Sequence, residues 1–214
     1  MLFLKLLIIG LVIASGIYFS FFKKESSKEE SYTLENQIEI LKDLGVTLNE
    51  NVTIDDFLNS FDRGAYEDKP FDLILFIYGV EIESEPWGRR FSNNAWDFDV
   101  ECIEDNGSYI EIVKNFALLS NKLDKIENIK DSVDFEKEQA WVSYSIDGIE
   151  KRYEAKFDND WADPITVASI MSDLTSDGYS FYAKDNGQAS IWFYLDDKAA
   201  RKLNEYSNNA LVKN

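Results

Sequence analysis

Residues 141–153 read WVSYSIDGIEKRY, and this stretch is the strongest local indication of the fold. Asp147 and Gly148 separate two runs of alternating side chains, and an Asp-Gly pair readily adopts the positive φ angles of a type I′ turn. The stretch therefore predicts a two-residue β-hairpin in which Tyr144 faces Lys151. Because strands joined by a hairpin run antiparallel, it also predicts an antiparallel sheet.

Two further stretches indicate strands. Asn186-Gly187 lies between apolar runs at residues 179–184 and 188–195, which predicts a second hairpin. Upstream, apolar and acidic residues alternate from Trp96 to Cys102, the period of a half-buried strand.

Capping and turn residues indicate helices around these strands. Thr33 and Gly45 bracket an amphipathic stretch, and Asp163-Pro164 combines an N-cap with a proline in the first helical turn. Residues 70–79, PFDLILFIYG, fit either a helix or a buried strand. The other predicted helices begin at Thr53, at Ser108 and at Asp196 or Asp197.

The order of these elements predicts an α+β fold. Helices come first and are followed by the order β-α-β-β-β-α-β-β-α, which favours one domain with a mostly antiparallel sheet covered by helices. We expect this single acidic domain at residues 33–214, after a polar tether at residues 25–32.

The N-terminal 24 residues predict a transmembrane helix. Leu6 to Phe22 is a run of seventeen uncharged residues, with Lys5 before it and Lys23 and Lys24 after it. As a helix it reaches roughly 26 Å, near the lower limit for crossing a hydrocarbon core of about 30 Å. We therefore expect a single-pass membrane protein. The flanking lysines are too evenly balanced to assign the side on which the domain lies.

The same stretch also fits a cleaved signal peptide. Ala14-Ser15-Gly16 has the small residues that a signal peptidase requires. Cleavage near Gly16 predicts a secreted or periplasmic protein, but it would leave the apolar residues 17–22 at the new N-terminus. Retention as an anchor is the favoured interpretation.

The net charge of the chain favours some classes of binding partner over others. The chain has 40 Asp and Glu against 22 Lys and Arg, a net charge of −18. Such a surface repels nucleic-acid phosphates, so we expect no nucleic-acid partner. It attracts basic proteins instead, because the summed surface charge steers association.

The lack of histidine excludes several chemistries. The chain has no His and a single cysteine, Cys102. Ser-His-Asp and Cys-His catalysis, His-ligated zinc and thiolate clusters are therefore excluded. There is also no Gly-rich phosphate loop, and the sequence predicts no cofactor.

Two acidic stretches are candidate metal sites. Asp97, Asp99 and Glu101 share one face of the predicted strand, with Arg89 and Arg90 as plausible counter-charges. A hard cation needs oxygen ligands that converge from several elements, and one strand alone does not provide them.

The second stretch contributes Asp158 and Asp160. Residues 158–169 resemble an EF-hand calcium loop, but Asp163 replaces the Gly at the sixth position and Ser169 replaces the Glu at the twelfth. A capped loop before a helix explains the same residues.

Four residues are candidates for partner binding. Glu104 and Asp105 extend the acidic stretch, while Trp192 and Tyr194 lie on one face of a predicted strand. Aromatic rings beside carboxylates suit a protein partner or a sugar polymer. Packing in the core explains the rings equally well.

These observations favour a membrane-tethered acidic binding domain without enzymatic activity that engages a basic protein, for example as an inhibitor or immunity-type protein. Two alternatives remain open. One is a metal-assisted hydrolase that depends on carboxylates, since metal-activated water can act without histidine. The other is an envelope polysaccharide-binding module.

The anchor generates a prediction about localisation. Val12→Arg places a charge in the middle of the apolar run, at a cost of about 2.5–3.5 kcal/mol for insertion. We expect the variant to move from the membrane fraction to the soluble fraction on cell fractionation, while Val12→Leu stays with the membrane. Recovery of the intact wild-type chain in the soluble fraction would contradict the anchor.

Overall fold

The computed structural model of the chain describes residues 32–214. The predicted membrane segment and residues 25–31 of the predicted tether lie outside the described residues. Within residues 32–214, no helix has both the length and the apolar character needed to cross a membrane.

The described residues form helices and antiparallel strands in the α+β arrangement that the sequence predicts. The helices are α1 (Leu34–Asp43), α2 (Ile54–Ser60), α3 (Arg63–Glu67), α4 (Leu73–Gly79), α5 (Ser108–Leu119), α6 (Pro164–Leu174) and α7 (Asp197–Tyr206), with a 3₁₀ turn at Leu123–Lys125. The strands are β1 (Ala95–Asp99), β2 (Ile126–Asp134), β3 (Gln139–Ile146), β4 (Ile149–Ala155), β5 (Tyr179–Asn186), β6 (Ala189–Asp196) and β7 (Leu211–Lys213).

The strands form two sheets, where the sequence predicted one. A four-stranded sheet has the order β1-β6-β5-β7, and a three-stranded sheet has the order β2-β3-β4. All of the strand pairs are antiparallel. The two predicted hairpins thus belong to different sheets, a separation that local turn chemistry does not specify.

Helices cover both faces of the four-stranded sheet. Residues of α1–α4 and α7 form one apolar core with Ile191 and Phe193 of β6. Residues of α5 and α6 form a second core with Phe181 of β5 and with Val142 and Tyr144 of β3. Helices α5 and α6 therefore pack against both sheets.

Both hairpins form, and the first has the predicted register. Tyr144 pairs with Lys151 across Asp147-Gly148. In the second, Asn186 pairs with Ala189, so the loop residues are Gly187 and Gln188, one position later than predicted. Gly187 has a φ of +78°, which a residue without a Cβ adopts at little cost.

The stretch at residues 70–79 is a helix from Leu73 onward, so the buried-strand alternative is wrong. Helix α4 ends in close contact with the four-stranded sheet. A Cβ on Gly79 would lie 2.8 Å from Ile191 Cγ2 and 3.0 Å from the Asp97 nitrogen. Only glycine therefore fits at this position without a shift of the neighbouring strands.

Strand β1 is shorter than predicted. The Asp99 carboxylate accepts a hydrogen bond from the Glu101 nitrogen at 2.9 Å, which turns the chain away from the sheet. Glu101 then forms an isolated bridge with Trp161. The alternation continues to Cys102, but regular pairing with β6 stops at Asp99.

Several helix caps are confirmed, but that of α5 is not. Thr33 and Asp163 accept hydrogen bonds from the first turns of α1 and α6. The Ser108 hydroxyl instead accepts from the Glu104 and Asp105 nitrogens, before the helix.

Asp131 of β2 provides the cap of α5. Its carboxylate accepts from the nitrogens of Gly107 at 2.9 Å, Tyr109 at 3.0 Å and Ile110 at 3.3 Å. This one side chain satisfies donors that a helix N-terminus leaves without intrahelical partners.

We therefore predict that Asp131→Ala lowers the free energy of unfolding by about 1–3 kcal/mol, since it removes a helix cap and leaves several donors unpaired. Urea denaturation monitored by circular dichroism measures the change. Asp105→Ala, in the turn that precedes α5, is the matched control, with an expected change within about 0.5 kcal/mol. Equal stability of the two variants would show that Asp131 is not the cap.

Candidate functional site

The three predicted acidic residues around β1 do not form one cluster. Asp97 is half-buried, and its Oδ1 has no hydrogen-bond partner in the part of the chain that the structure describes. Burial, with a smaller contribution from Asp99, raises the pKa of Asp97. Asp99 accepts a hydrogen bond from Gln188 at 3.0 Å, and Glu101 is exposed.

The other metal candidates lie in the turn before α6. Asp158 is exposed and lies 3.4 Å from the Lys156 ammonium, and the Asp160 carboxylate accepts a hydrogen bond from Asn159. Over residues 32–214, no three Cys, Asp or Glu side chains lie in an arrangement that could hold a metal ion. The five candidate carboxylates therefore do not converge on one metal site in the described part of the chain.

The four candidates for partner binding line three different concavities. Tyr194 lines one, Trp192 a second, and Glu104 and Asp105 a third. The Trp192 ring packs edge-to-face on Phe116, with 6.0 Å between the ring centroids. The structure therefore does not bring these four residues together into one surface.

A groove elsewhere combines exposed aromatic rings with carboxylates. It lies between α2, the end of α4 and the loop at residues 80–90, and has a volume of about 590 Å³. We call it the acidic groove. Phe76, Ile77, Val80 and Ile82 are its apolar residues, Phe61 and Trp87 its exposed aromatic residues, and Asp56, Glu81 and Glu83 its acidic residues.

Arg89 holds the loop of the acidic groove in place. Its Nη2 donates to Asp56 Oδ1 at 2.8 Å and to the Ser84 hydroxyl at 3.2 Å. Its Nε donates to the Pro86 carbonyl at 3.2 Å. One guanidinium thus ties the loop to α2. Arg89 does not serve as the predicted counter-charge for Asp97 and Asp99.

Arg90 is not that counter-charge either. Its Nη1 donates to the Asn115 side chain at 3.0 Å, and its Nη2 lies 3.5 Å from the Ala95 carbonyl. Burial lowers the pKa of Arg90, against an opposing effect of Glu81. Both arginines thus form other contacts within the fold, and neither pairs with a carboxylate of β1.

Trp87 is the most exposed aromatic residue of the acidic groove. Its side chain is 71% exposed, and Phe61 is 43% exposed. Among the described residues, Glu83 and Glu85 form no ion pairs, whereas the charge of Arg89 is balanced by Asp56. The loop therefore presents an exposed ring beside two carboxylates that have no ion-pair partner among the described residues.

The sequence analysis missed this groove, although a signal was present. Residues 81–90 read EIESEPWGRR, which places a tryptophan between Pro86 and Gly88 and beside three glutamates. A large ring in a Pro-Gly loop is seldom a core residue, and loops carry binding residues more often than regular elements do. The pairing of Arg89 with Asp56, 33 residues away, has no such local signal.

Comparison with known proteins finds no matching family, curated protein or solved structure.

The Asp56–Arg89 pair predicts a pH dependence of stability. Burial alone would raise the pKa of Asp56, but the hydrogen bonds from Arg89 and Thr53 outweigh it and lower the pKa below its ordinary value of 3.8. A carboxylate with a lowered pKa stabilises the fold at pH values above the unfolded-state value and loses that effect as the pH falls through the folded-state value.

We therefore expect the wild-type protein to be more stable than Asp56→Asn at pH 6, with the difference shrinking as the pH falls from about 4 to about 2. Urea denaturation at stepped pH measures both curves. Asp158→Asn, at an exposed position, is the control and is expected to follow the wild-type curve closely. A stability difference that does not change over this pH range would contradict the lowered pKa.

Proposed function

We propose that residues 32–214 form a protein-interaction domain whose acidic groove binds a basic segment of a partner protein. The observation that carries this proposal is Trp87, a 71% exposed ring on a loop that Arg89 fastens to α2. A ring that stays exposed to water contributes little to the stability of the fold. Exposed tryptophans held in place are, however, frequent anchors of protein interfaces.

The chemistry of the acidic groove suits an Arg or Lys side chain. The aliphatic stem of either residue packs on apolar surface such as Phe76 and Val80 while its charged end stays polar. Glu81 and Glu83 are exposed and attract that charge, and the face of Trp87 adds a cation–π contact. The groove therefore offers a basic side chain an apolar surface, carboxylates and the face of an aromatic ring.

The charge of the whole chain supports the same partner. A net charge of −18 raises the rate of encounter with a basic protein and repels acidic ones. The groove volume of about 590 Å³ has room for a few side chains of a docked segment. An acidic inhibitor that occupies the surface of a basic enzyme or toxin is one form of this function.

The predicted anchor completes the proposal. If residues 6–22 span a membrane, the domain works close to a lipid surface. Anionic headgroups repel a domain of this charge, which leaves the acidic groove free for a partner.

The test uses a fluorescent peptide of four Arg-Leu repeats and the full-length chain in zwitterionic detergent. We expect Trp87→Ala to weaken binding by about tenfold or more, as for an interface hot spot, and Glu83→Lys to weaken it further at low salt. Raising the salt concentration should weaken binding to the wild-type protein. Fluorescence anisotropy measures each affinity.

The matched controls lie outside the groove. Trp161 is 44% exposed and lies beside Asp158, so Trp161→Ala and Asp158→Lys make similar changes elsewhere. We expect both to leave the affinity within about twofold of wild type. Equal losses in the groove and control variants, or binding that is insensitive to salt, would contradict the proposal.

A further inference from the structure

A second concavity, of about 730 Å³, lies where α1 and α5 end and where α7 begins. We call it the tyrosine pocket. Its lining includes the stacked rings of Tyr179 and Tyr194, and Asp43, Asn121, Asp196 and Lys198 are among the polar residues around them. We propose that this pocket binds a neutral oligosaccharide.

The two tyrosines form the platform. Their rings are 5.4 Å apart between centroids, with 21° between their planes, and Tyr179 is 45% exposed. Because Tyr194 covers one face of Tyr179, the exposed area belongs to the opposite face and the ring edge. An amphipathic ring of this kind packs against the C–H face of a sugar and leaves the sugar hydroxyls to polar groups.

The polar lining offers both donors and acceptors. The Tyr194 hydroxyl accepts a hydrogen bond from the Ser176 nitrogen at 2.8 Å, so its own proton remains to be donated. At the ends of α1 and α5, the Asp43 carboxylate and the Asn121 side chain form no hydrogen bond with another described residue, so both can accept one from a ligand. Hydroxyl groups, which both donate and accept, match such a lining.

The charges of the lining favour a neutral ligand. The charged residues of the lining are two carboxylates, Asp43 and Asp196, and two ammonium groups, Lys198 and Lys202, and Lys202 also pairs with Glu205 at 2.7 Å. Asp196 is moreover engaged as the N-cap of α7, where it accepts from the Lys198 and Ala199 nitrogens. Because both signs of charge line the pocket, it favours neither a polyanion nor a polycation.

Size and surroundings agree with a short oligosaccharide. The volume falls within the range of about 300–1,000 Å³ that small ligands occupy. A nucleobase would also stack on Tyr179, but a nucleotide carries phosphates that the overall charge repels. The sugar is therefore the ligand class that fits ring, lining and charge together.

The test titrates cellotetraose, maltotetraose, tetra-N-acetylchitotetraose and adenosine into the full-length chain by calorimetry, in a detergent without a sugar headgroup. We expect at least one oligosaccharide to bind with a Kd below about 10 mM and Tyr179→Ala to weaken that binding about tenfold or more. Tyr179→Phe keeps the ring and should bind within about threefold of wild type. Trp161→Ala, outside both the tyrosine pocket and the acidic groove, should bind like wild type.

Three outcomes would overturn the proposal. One is the absence of binding for all three oligosaccharides, and another is unchanged binding in a folded Tyr179→Ala protein. The third is Tyr179-dependent binding of adenosine alone, which would assign the pocket to a planar base. Circular dichroism of each variant separates a loss of binding from a loss of folding.

Discussion

The burial of Phe116 between several aromatic side chains is the contact on which the rest of the structure depends. Its ring on α5 packs edge-to-face against Trp96, Phe181 and Trp192 of the four-stranded sheet, with centroid distances of 5.1, 5.4 and 6.0 Å. Edge-to-face aromatic pairs are more stable than their buried area alone implies. Helix α5 also packs on β2, so the helix that carries Phe116 connects the four-stranded sheet to the three-stranded sheet.

Polar contacts then set the positions of α5 and α6. Tyr109 of α5 accepts a hydrogen bond from the Asp163 nitrogen at 3.0 Å, which ties α5 to the start of α6. Asp173 of α6 accepts from Tyr144 at 2.9 Å and from Tyr153 at 2.6 Å, which ties α6 to the first hairpin. Burial and the Asp173 carboxylate raise the pKa of Tyr153 to about 12, so its hydroxyl stays a donor at neutral pH. Packing thus brings the helices and the sheets together, and these hydrogen bonds fix how α5, α6 and the first hairpin are aligned.

The two proposed binding surfaces lie at the margins of this framework. The acidic groove is built on α2 and α4, on the side of the four-stranded sheet that faces the N-terminal helices. The tyrosine pocket lies where β5 and β6 extend to the ends of α1 and α5. Binding residues on a rigid scaffold lose little conformational freedom when a ligand arrives, which favours affinity. Arg89 holds the backbone next to Trp87 through the Pro86 carbonyl, and the ring of Tyr194 packs on the ring of Tyr179.

The sequence by itself determined the elements whose causes lie within a few residues. The turn at Asp147-Gly148 and the caps at Thr33 and Asp163 follow from the φ preferences and hydrogen bonds of neighbouring residues, so reading along the chain is enough. Only the tertiary structure decided the division into two sheets, the capping of α5 by Asp131, and the positions of both proposed binding surfaces. Arg89 lies 33 residues from Asp56, and Asp131 lies 22 residues from Tyr109. Such pairs form only when packing brings distant segments together, because no local preference selects one carboxylate among the 40 acidic residues of this chain.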